Sequence, residues 1–301
     1  MRLNKFFIAG LFAAALTLSC NKDDDNSPET VPDRDRGEQE ADDQAALEEY
    51  LATHFYNYEE FENPGANFNY VVNLDTINAA NADKIPLIES DKLEKKVVKF
   101  MDVDYTIYIL KVREGAGQQP TFADSTFVTY QGELLNGNRF DGSSSPLWFD
   151  LVSVIPGFSQ SLNEFKGATG YERNDDNTIS WNNDFGIGTV FIPSGLAYFS
   201  TPRPTIPAYS PLIFHIQMFA ANEADHDGDG IPTYLEDLDG DKQVGNDDTD
   251  GDFIPNYMDA DDDGDFTPTR DEIEILEDGT LILTDSNNDG TPDYLDEAIY
   301  E

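Results

Sequence analysis

The chain has 301 residues, enough for one or two folded domains, and its 60 acidic against 18 basic side chains give a net charge of −42. Such a surface repels nucleic-acid phosphates and anionic lipid headgroups, so neither is an expected partner. The imbalance is uneven: Asp225 to Glu301 holds 27 acidic residues against Lys242 and Arg270, which points to cations as partners of that segment.

The chain opens Met1-Arg-Leu-Asn-Lys5 and continues with an apolar run from Phe6 to Leu18 that ends at Ser19-Cys20. A basic start, a short apolar core and a small residue before a cut site describe a secretory signal over residues 1–19. The run is too short to span a bilayer. Cys20 is the sole cysteine and stands where a bacterial lipoprotein is cleaved and acylated. Leu16-Thr-Leu-Ser-Cys20 resembles a loose lipobox, with Thr17 where a leucine is usual. The expectation is a cell-envelope protein anchored in the membrane by a lipid on Cys20, at the outer membrane. The acidic run Asp23-Asp-Asp is similar to the surface-export signal of some Gram-negative lipoproteins, against the alternative of a plain solvated linker. An exported chain with one cysteine has no internal disulfide and relies on packing and metal.

Residues 20–44 are rich in Asp, Glu, Pro and Arg and read as a disordered tether. Asp43 is placed to cap a helix carrying Leu47, Tyr50, Leu51 and Phe55 on one face. Residues 45–104 read as an N-terminal extension packed on the domain that follows, 105–221. Tyr105–Val112, Val128–Leu134, Gly188–Ile192 and Leu212–Ala220 have strand composition. Pro156–Phe165 is a short amphipathic helix with Phe158, Leu162 and Phe165 apolar, and the Asn-rich stretch 168–185 reads as a surface insertion.

Between Thr126 and Phe219 lie Val128-Thr-Tyr130-Gln-Gly132, Arg139-Phe140-Asp141, Pro146-Leu147-Trp-Phe149, Val154-Ile155-Pro-Gly157-Phe158, Gly195-Leu-Ala197-Tyr198, Ile206-Pro207 and Phe214. Aromatic and branched residues spread over strands, with one carboxylate and one phenol among them, suggest an apolar pocket. Their order and spacing also resemble the FKBP-type peptidyl-prolyl cis-trans isomerases, over roughly Tyr105 to Ala221. The resemblance implies an α+β fold, a curved antiparallel sheet wrapped on one short helix, and isomerisation of Xaa-Pro bonds in exported proteins without a cofactor. It assigns Tyr130, Phe140, Asp141 and Tyr198 to catalysis, and Leu147, Val154, Ile155, Phe158, Ile206 and Phe214 to substrate binding. Three departures stand out: Phe158 where the family's floor is usually Trp, Leu147 where an aromatic is common, and Phe199 in place of the glycine after the tyrosine. A hydrolase is disfavoured, because His54, His215 and His226 make no Ser-His-Asp set and Cys20 is spent at the N-terminus.

From Asp225 the sequence changes character. Asp225, Asp227, Asp229 and Glu236 occupy positions 1, 3, 5 and 12 of a calcium-type loop, with Gly230 at position 6. The pattern returns as Asp248, Asp250, Asp252, Asp259; as Asp261, Asp263, Asp265, Glu272; and as Asp285, Asn287, Asp289, Asp296. Pro232, Pro255, Pro268 and Pro292 recur at position 8, and a degenerate turn, Asp237-Leu-Asp239-Gly-Asp241, shares Asp248 with its neighbour. Residues 225–301 are similar to thrombospondin type 3 repeats, which implies structural calcium in place of an apolar core. Phe253 and Phe266 replace the usual glycine in two cycles. The reading is a lipid-anchored prolyl isomerase with a calcium-stabilised tail. Its rivals are a non-catalytic binder of Pro-containing segments and a calcium-dependent surface-assembly protein on the same scaffold.

Overall fold

The structure is a computed structural model that describes residues 32–299. Cys20, the lipobox and the signal segment lie outside the described residues.

Helix α1 runs from Arg36 to Thr53, capped by Asp35, whose side chain accepts from the Glu38 N–H at 2.9 Å. It therefore starts well before Asp43, and the last part of the expected tether is helical. The acidic composition misled because these side chains line the solvent face of a helix docked along its other side. Asp43 is buried in mid-helix, not at a cap, and its carboxylate accepts from the Ser194 N–H at 2.7 Å, the Ser194 hydroxyl at 2.6 Å and the Gln39 amide at 2.7 Å. Leu47, Tyr50 and Leu51 continue the buried stripe, whereas Phe55 falls beyond the helix in the short strand His54–Tyr56, where Tyr56 is the buried residue.

Six strands form one antiparallel sheet: β1 (Leu93–Phe100), β2 (Val103–Arg113), β3 (Ser125–Leu134), β4 (Arg139–Asp150), β5 (Gly186–Ile192) and β6 (Leu212–Asn222), in the order β1-β2-β5-β6-β3-β4. The four strands expected from composition are present. The two edge strands were not foreseen. β1 carries Lys95, Lys96 and Lys99, a composition that discourages further pairing at an edge, and it puts the start of the sheet ahead of Tyr105. β4 is interrupted by register shifts opposite Val128–Tyr130 and Gly132–Glu133, which hide its alternation.

The sheet is covered on both faces. Tyr105, Ile107, Ile109, Val190, Ile192 and Phe214 point to a core shared with helix α2 (Pro156–Leu162). Tyr108, Leu110, Phe191, Ile213 and Phe219 point the other way, onto Leu47, Tyr50 and Leu51 of α1. Stretch 168–185 forms an exposed hairpin, Tyr171–Arg173 with Ile179–Trp181, held at its base by Trp181 against Phe219.

The acidic tail repeats one turn five times. In each, the position-6 N–H donates to the position-1 carboxylate: Gly230 to Asp225, Lys242 to Asp237, Phe253 to Asp248, Phe266 to Asp261 and Gly290 to Asp285, at 3.1–3.2 Å. Positions 4 and 6 have positive φ throughout, including 79° at both Phe253 and Phe266. In four of the turns the proline at position 8 leads into a single 3₁₀ turn, as at Thr233–Leu235 and Thr269–Asp271. The expected loop spacing is thus realised as a regular backbone, and the turn beginning at Asp237 takes the same form.

Asp43→Ala leaves the Ser194 N–H and hydroxyl unpaired in a buried site, at a cost of about 1–3 kcal/mol, read as a lower urea midpoint at unchanged slope. The left-handed backbone costs a non-glycine residue roughly 1–2 kcal/mol. Phe253 and Phe266 are 93% and 95% exposed and lose no packing when truncated. Phe253→Gly and Phe266→Gly should therefore raise the melting temperature. Phe199 shares the strain, with φ 48°, but is buried with its ring 4.1 Å from the Arg36 guanidinium. Loss of a buried aromatic, about 3–5 kcal/mol, exceeds that relief, so Phe199→Gly should lower it.

Candidate functional site

A cavity of about 590 Å³ opens between β3, β4, α2 and the segment 197–203. Phe158, from the first turn of α2, forms its floor. That turn starts abruptly because Pro156 occupies its first position, where the missing N–H costs nothing. Phe214 of β6 meets Phe158 edge to face at 5.0 Å between ring centres, and Phe140 of β4 meets Phe214 at 5.5 Å. Tyr130 and Phe149 complete the walls at 5.1 Å from one another. These edge-to-face contacts fix ring orientations as well as positions. Val154 and Ile155 form the rim with Pro156, and Ala197 and Tyr198 face them.

Polar groups share the lining with the rings: Asp141, Ser153, Thr201, Arg203 and the hydroxyls of Tyr130 and Tyr198. The Tyr130 hydroxyl donates to Asp141 Oδ2 at 2.8 Å, and the Gly142 N–H donates to Asp141 Oδ1 at 2.7 Å. Burial, reinforced by the neighbouring carboxylate, pushes the Tyr130 phenol up to about 12, so it remains a neutral donor. Among the described residues, no hydrogen-bond acceptor engages the Ile155 N–H.

The cavity brings together Tyr130, Phe140, Asp141, Val154, Ile155, Phe158, Tyr198 and Phe214. It does not include Leu147 or Ile206. Leu147 lies beside the β3–β4 irregularity and is exposed, and Phe149, two residues further on, supplies the aromatic wall. Ile206 is buried in the core, and its backbone closes the flap turn on Arg203, with Arg203 N–H to Ile206 C=O at 2.8 Å. That turn sends the Arg203 guanidinium over the Tyr198 ring, 4.7 Å from its centre. Arg203 and Phe149 line the site without having been foreseen. A signal existed for each: Arg203 is the one basic residue of the Pro-rich flap 200–207, and Phe149 shares the strand face of Leu147. His215 lies in β6, between Glu133 at 3.1 Å and Thr189 at 2.9 Å, away from the cavity.

Among the described residues the tail contains four groups of carboxylates whose oxygens lie within 4.8 Å of one another. Three belong to single turns: Asp237/Asp239/Asp241, Asp248/Asp250/Asp252 and Asp261/Asp263/Asp265. The fourth joins Asp227, Asp229 and Glu236 to Asp262. Asp225, Asp259 and Glu272 stand next to their own groups; Asp225 is occupied by the Gly228 and Gly230 N–H groups. Glu272 is buried, and burial with the charges of Asp263 and Asp265 pushes it up to about 8. In the last cycle the Asn287 amide bridges Asp289 at 3.1 Å and Asp296 at 2.8 Å, while Asp285 accepts from the Asp289 N–H.

These residues fit a hard cation. Buried oxygens of Asp227, Asp229, Glu236, Asp261, Asp263, Asp265 and Glu272 have no hydrogen-bond partner. Burial and mutual repulsion push Glu236 up to about 10 and Asp227 up to about 7. Carboxylates so placed reject ionisation unless a positive charge joins them.

Comparison with known proteins supports two segments separately. A family model described as "BamM C-terminal" matches residues 226–282. The FKBP-type peptidyl-prolyl cis-trans isomerase FkpA of Buchnera aphidicola is 34% identical over 138 residues, 44% of this chain and 48% of that protein. The peptidyl-prolyl cis-trans isomerase Mip of Coxiella burnetii is 29% identical over 116 residues, 37% of this chain and 43% of that protein. A crystal structure of FkpA from Escherichia coli aligns over 62% of each chain at 23% identity, with a TM-score of 0.36. The chain spans about half the length, or less, of the curated relatives it matches. Over that part of its length it is similar to FKBP-type peptidyl-prolyl cis-trans isomerases.

Proposed function

We propose that the cavity isomerises Xaa-Pro peptide bonds and so assists the folding of exported proteins. The observation that carries this reading is the cavity's aromatic lining: Tyr130, Phe140, Phe149, Phe158 and Phe214 gathered round one recess. Rotation about the amide meets a barrier of about 18–20 kcal/mol because it destroys resonance. The planar amide is charge-separated and is favoured by water. The twisted amide is less polar and gains relative to it in an apolar site. A proline ring seated on Phe158, among Tyr130, Phe140 and Phe214, would leave water behind.

Donors need the right target. A hydrogen bond to the rotating carbonyl would strengthen the resonance that must break. The Tyr198 hydroxyl and the Ile155 N–H are therefore best used on flanking carbonyls, fixing the chain on either side while the bond turns. Asp141, pinned by Tyr130 and Gly142, contributes a fixed negative charge at the mouth. No step requires a proton transfer, a nucleophile or a cofactor. The rim of Val154, Ile155 and Pro156 favours an apolar residue before the proline.

A second reading concerns the tail, and the unpartnered buried carboxylates support it: residues 225–301 form thrombospondin type 3-like repeats stabilised by structural calcium, as clustered carboxylate oxygens suit a hard cation. Lipid attachment at Cys20 and an outer-membrane or surface location complete the proposal and rest on the sequence alone. The segment that carries α1, the domain built on the sheet from β1 onward and the tail would then act as anchor-side support, enzyme and stalk.

A protease-coupled prolyl-peptide assay on the whole chain should show acceleration that is insensitive to chelator. Asp141→Ala and Tyr198→Phe should each lower kcat/KM about tenfold, or about 1.4 kcal/mol of transition-state stabilisation, with unchanged circular dichroism. Phe158→Trp should hold or raise activity. A folded wild type that binds Pro-containing peptides in this cavity without acceleration would instead support the non-catalytic reading. Calcium added to chelated protein should release heat and protect the tail from protease, because binding supplies folding free energy; no heat and no protection at millimolar calcium would refute that part.

A further inference from the structure

The tail's carboxylate groups are of two kinds. Three are local, each made by one turn. The group formed by Asp227, Asp229 and Glu236 is completed from elsewhere, by Asp262 at the second position of the third cycle. The equivalent position in the other turns carries His226, Leu238, Thr249 and Ser286, none of them a carboxylate. Asp262 is 1% exposed and Glu236 0%, and neither oxygen of either side chain has a hydrogen-bond partner. One oxygen each of Asp227 and Asp229 is also buried without one. No lysine, arginine or histidine forms an ion pair with the four among the described residues.

Apolar groups from later in the chain enclose this cluster. Tyr294, of the last cycle, is buried, and Ile231 beside Asp229 is fully buried. Ile273 and Ile275 press on Gly230, where a Cβ would lie 3.1 and 2.9 Å from their terminal methyls. Four carboxylates in such a place are untenable as an uncompensated group, since each loses its hydration with nothing to replace it. Oxygen-only donors of this charge select a hard divalent cation.

We propose that Asp262 completes, with Asp227, Asp229 and Glu236, a closed site for one divalent cation that ties the first cycle to the third. This rests on the reading of the tail as calcium-binding and adds to it a tertiary cross-link. The local turns hold ions within one segment, whereas this site holds two segments together. Its occupancy governs whether the tail is one body or a string of separate turns. Asp261, the first ligand position of the third cycle, is the neighbour of Asp262, so filling either site orders the backbone of the other.

Isothermal titration of the chelated full chain with calcium chloride tests this, comparing wild type, Asp262→Asn, Glu236→Gln and Asp250→Asn as the local-turn control. Wild type should show a tightest binding phase that Asp262→Asn and Glu236→Gln weaken at least tenfold or remove, with stoichiometry lower by one, while Asp250→Asn leaves that phase intact. Thermal melts give an independent sign. In chelator, Asp262→Asn takes one acid out of the crowded buried group and should melt above wild type; in calcium it should melt below. A tightest phase unchanged in Asp262→Asn, or melts shifted the same way in both conditions, would overturn the proposal while leaving calcium binding by the tail in place. A wild type that takes up no calcium would overturn both.

Discussion

Everything else in the molecule depends on a sheet that is dry on both faces. Residues along β2, β5 and β6 alternate between the core on α2 and the core on α1, so sliding one strand by a residue would exchange the two cores wholesale. That fixes register, and register fixes the cavity. Gly132 shows how closely. A Cβ there would meet the Phe140 ring at 2.5 Å and Phe214 at 2.9 Å, so both walls lie directly on bare backbone of β3. The aromatic cluster is thus a surface of the sheet, as rigid as the strands that carry it.

Most of the cavity was legible because its residues are apolar types at positions where strand alternation and a proline-started helix dictate orientation. Phe158 follows from Pro156, and Phe214 from its strand. Failures arose where orientation depends on something nonlocal. Leu147 lost its place to Phe149 through an irregularity in β4 that has no signature in composition. Ile206 looked like a wall and is a brace, because its backbone closes the turn that aims Arg203. Helix α1 was cut short in the reading because acidic residues predominate there, although Gln39 and Asp43 lie on its buried side. A buried aspartate is legible only once its partner is known, and Ser194 is remote in sequence. The tail was the reverse: its backbone is set by spacing alone, while the meeting of Asp262 with Glu236 depends on how turns stack.

The tail also lies against the enzyme-like part. The Ala224 N–H donates to Asp124 at 3.2 Å, and the His226 ring lies 3.3 Å from Asp150 and edge to face on Tyr257. Val244 and Tyr257 line a crevice of about 200 Å³ together with Val152, Val154 and Pro156, two of which also form the cavity rim. The rim is therefore supported from one side by the core and from the other by the repeats.

The bond between Asp43 and Ser194 joins residues 151 positions apart, and synthesis runs from the N-terminus. Helix α1 is made long before β5 and the turn at Ser194 exist to receive it. A helix in a protein draws most of its stability from tertiary packing, and this one's apolar stripe is only partly covered, by Tyr108 and Leu110 of β2, until Phe191 and Ile213 are made. The sheet order compounds the delay, since β2 waits for β5 and β3 waits for β6. Most contacts join distant parts of the chain, which makes for slow folding from an exposed intermediate. A chain built in this order is, by its own topology, a late and vulnerable folder.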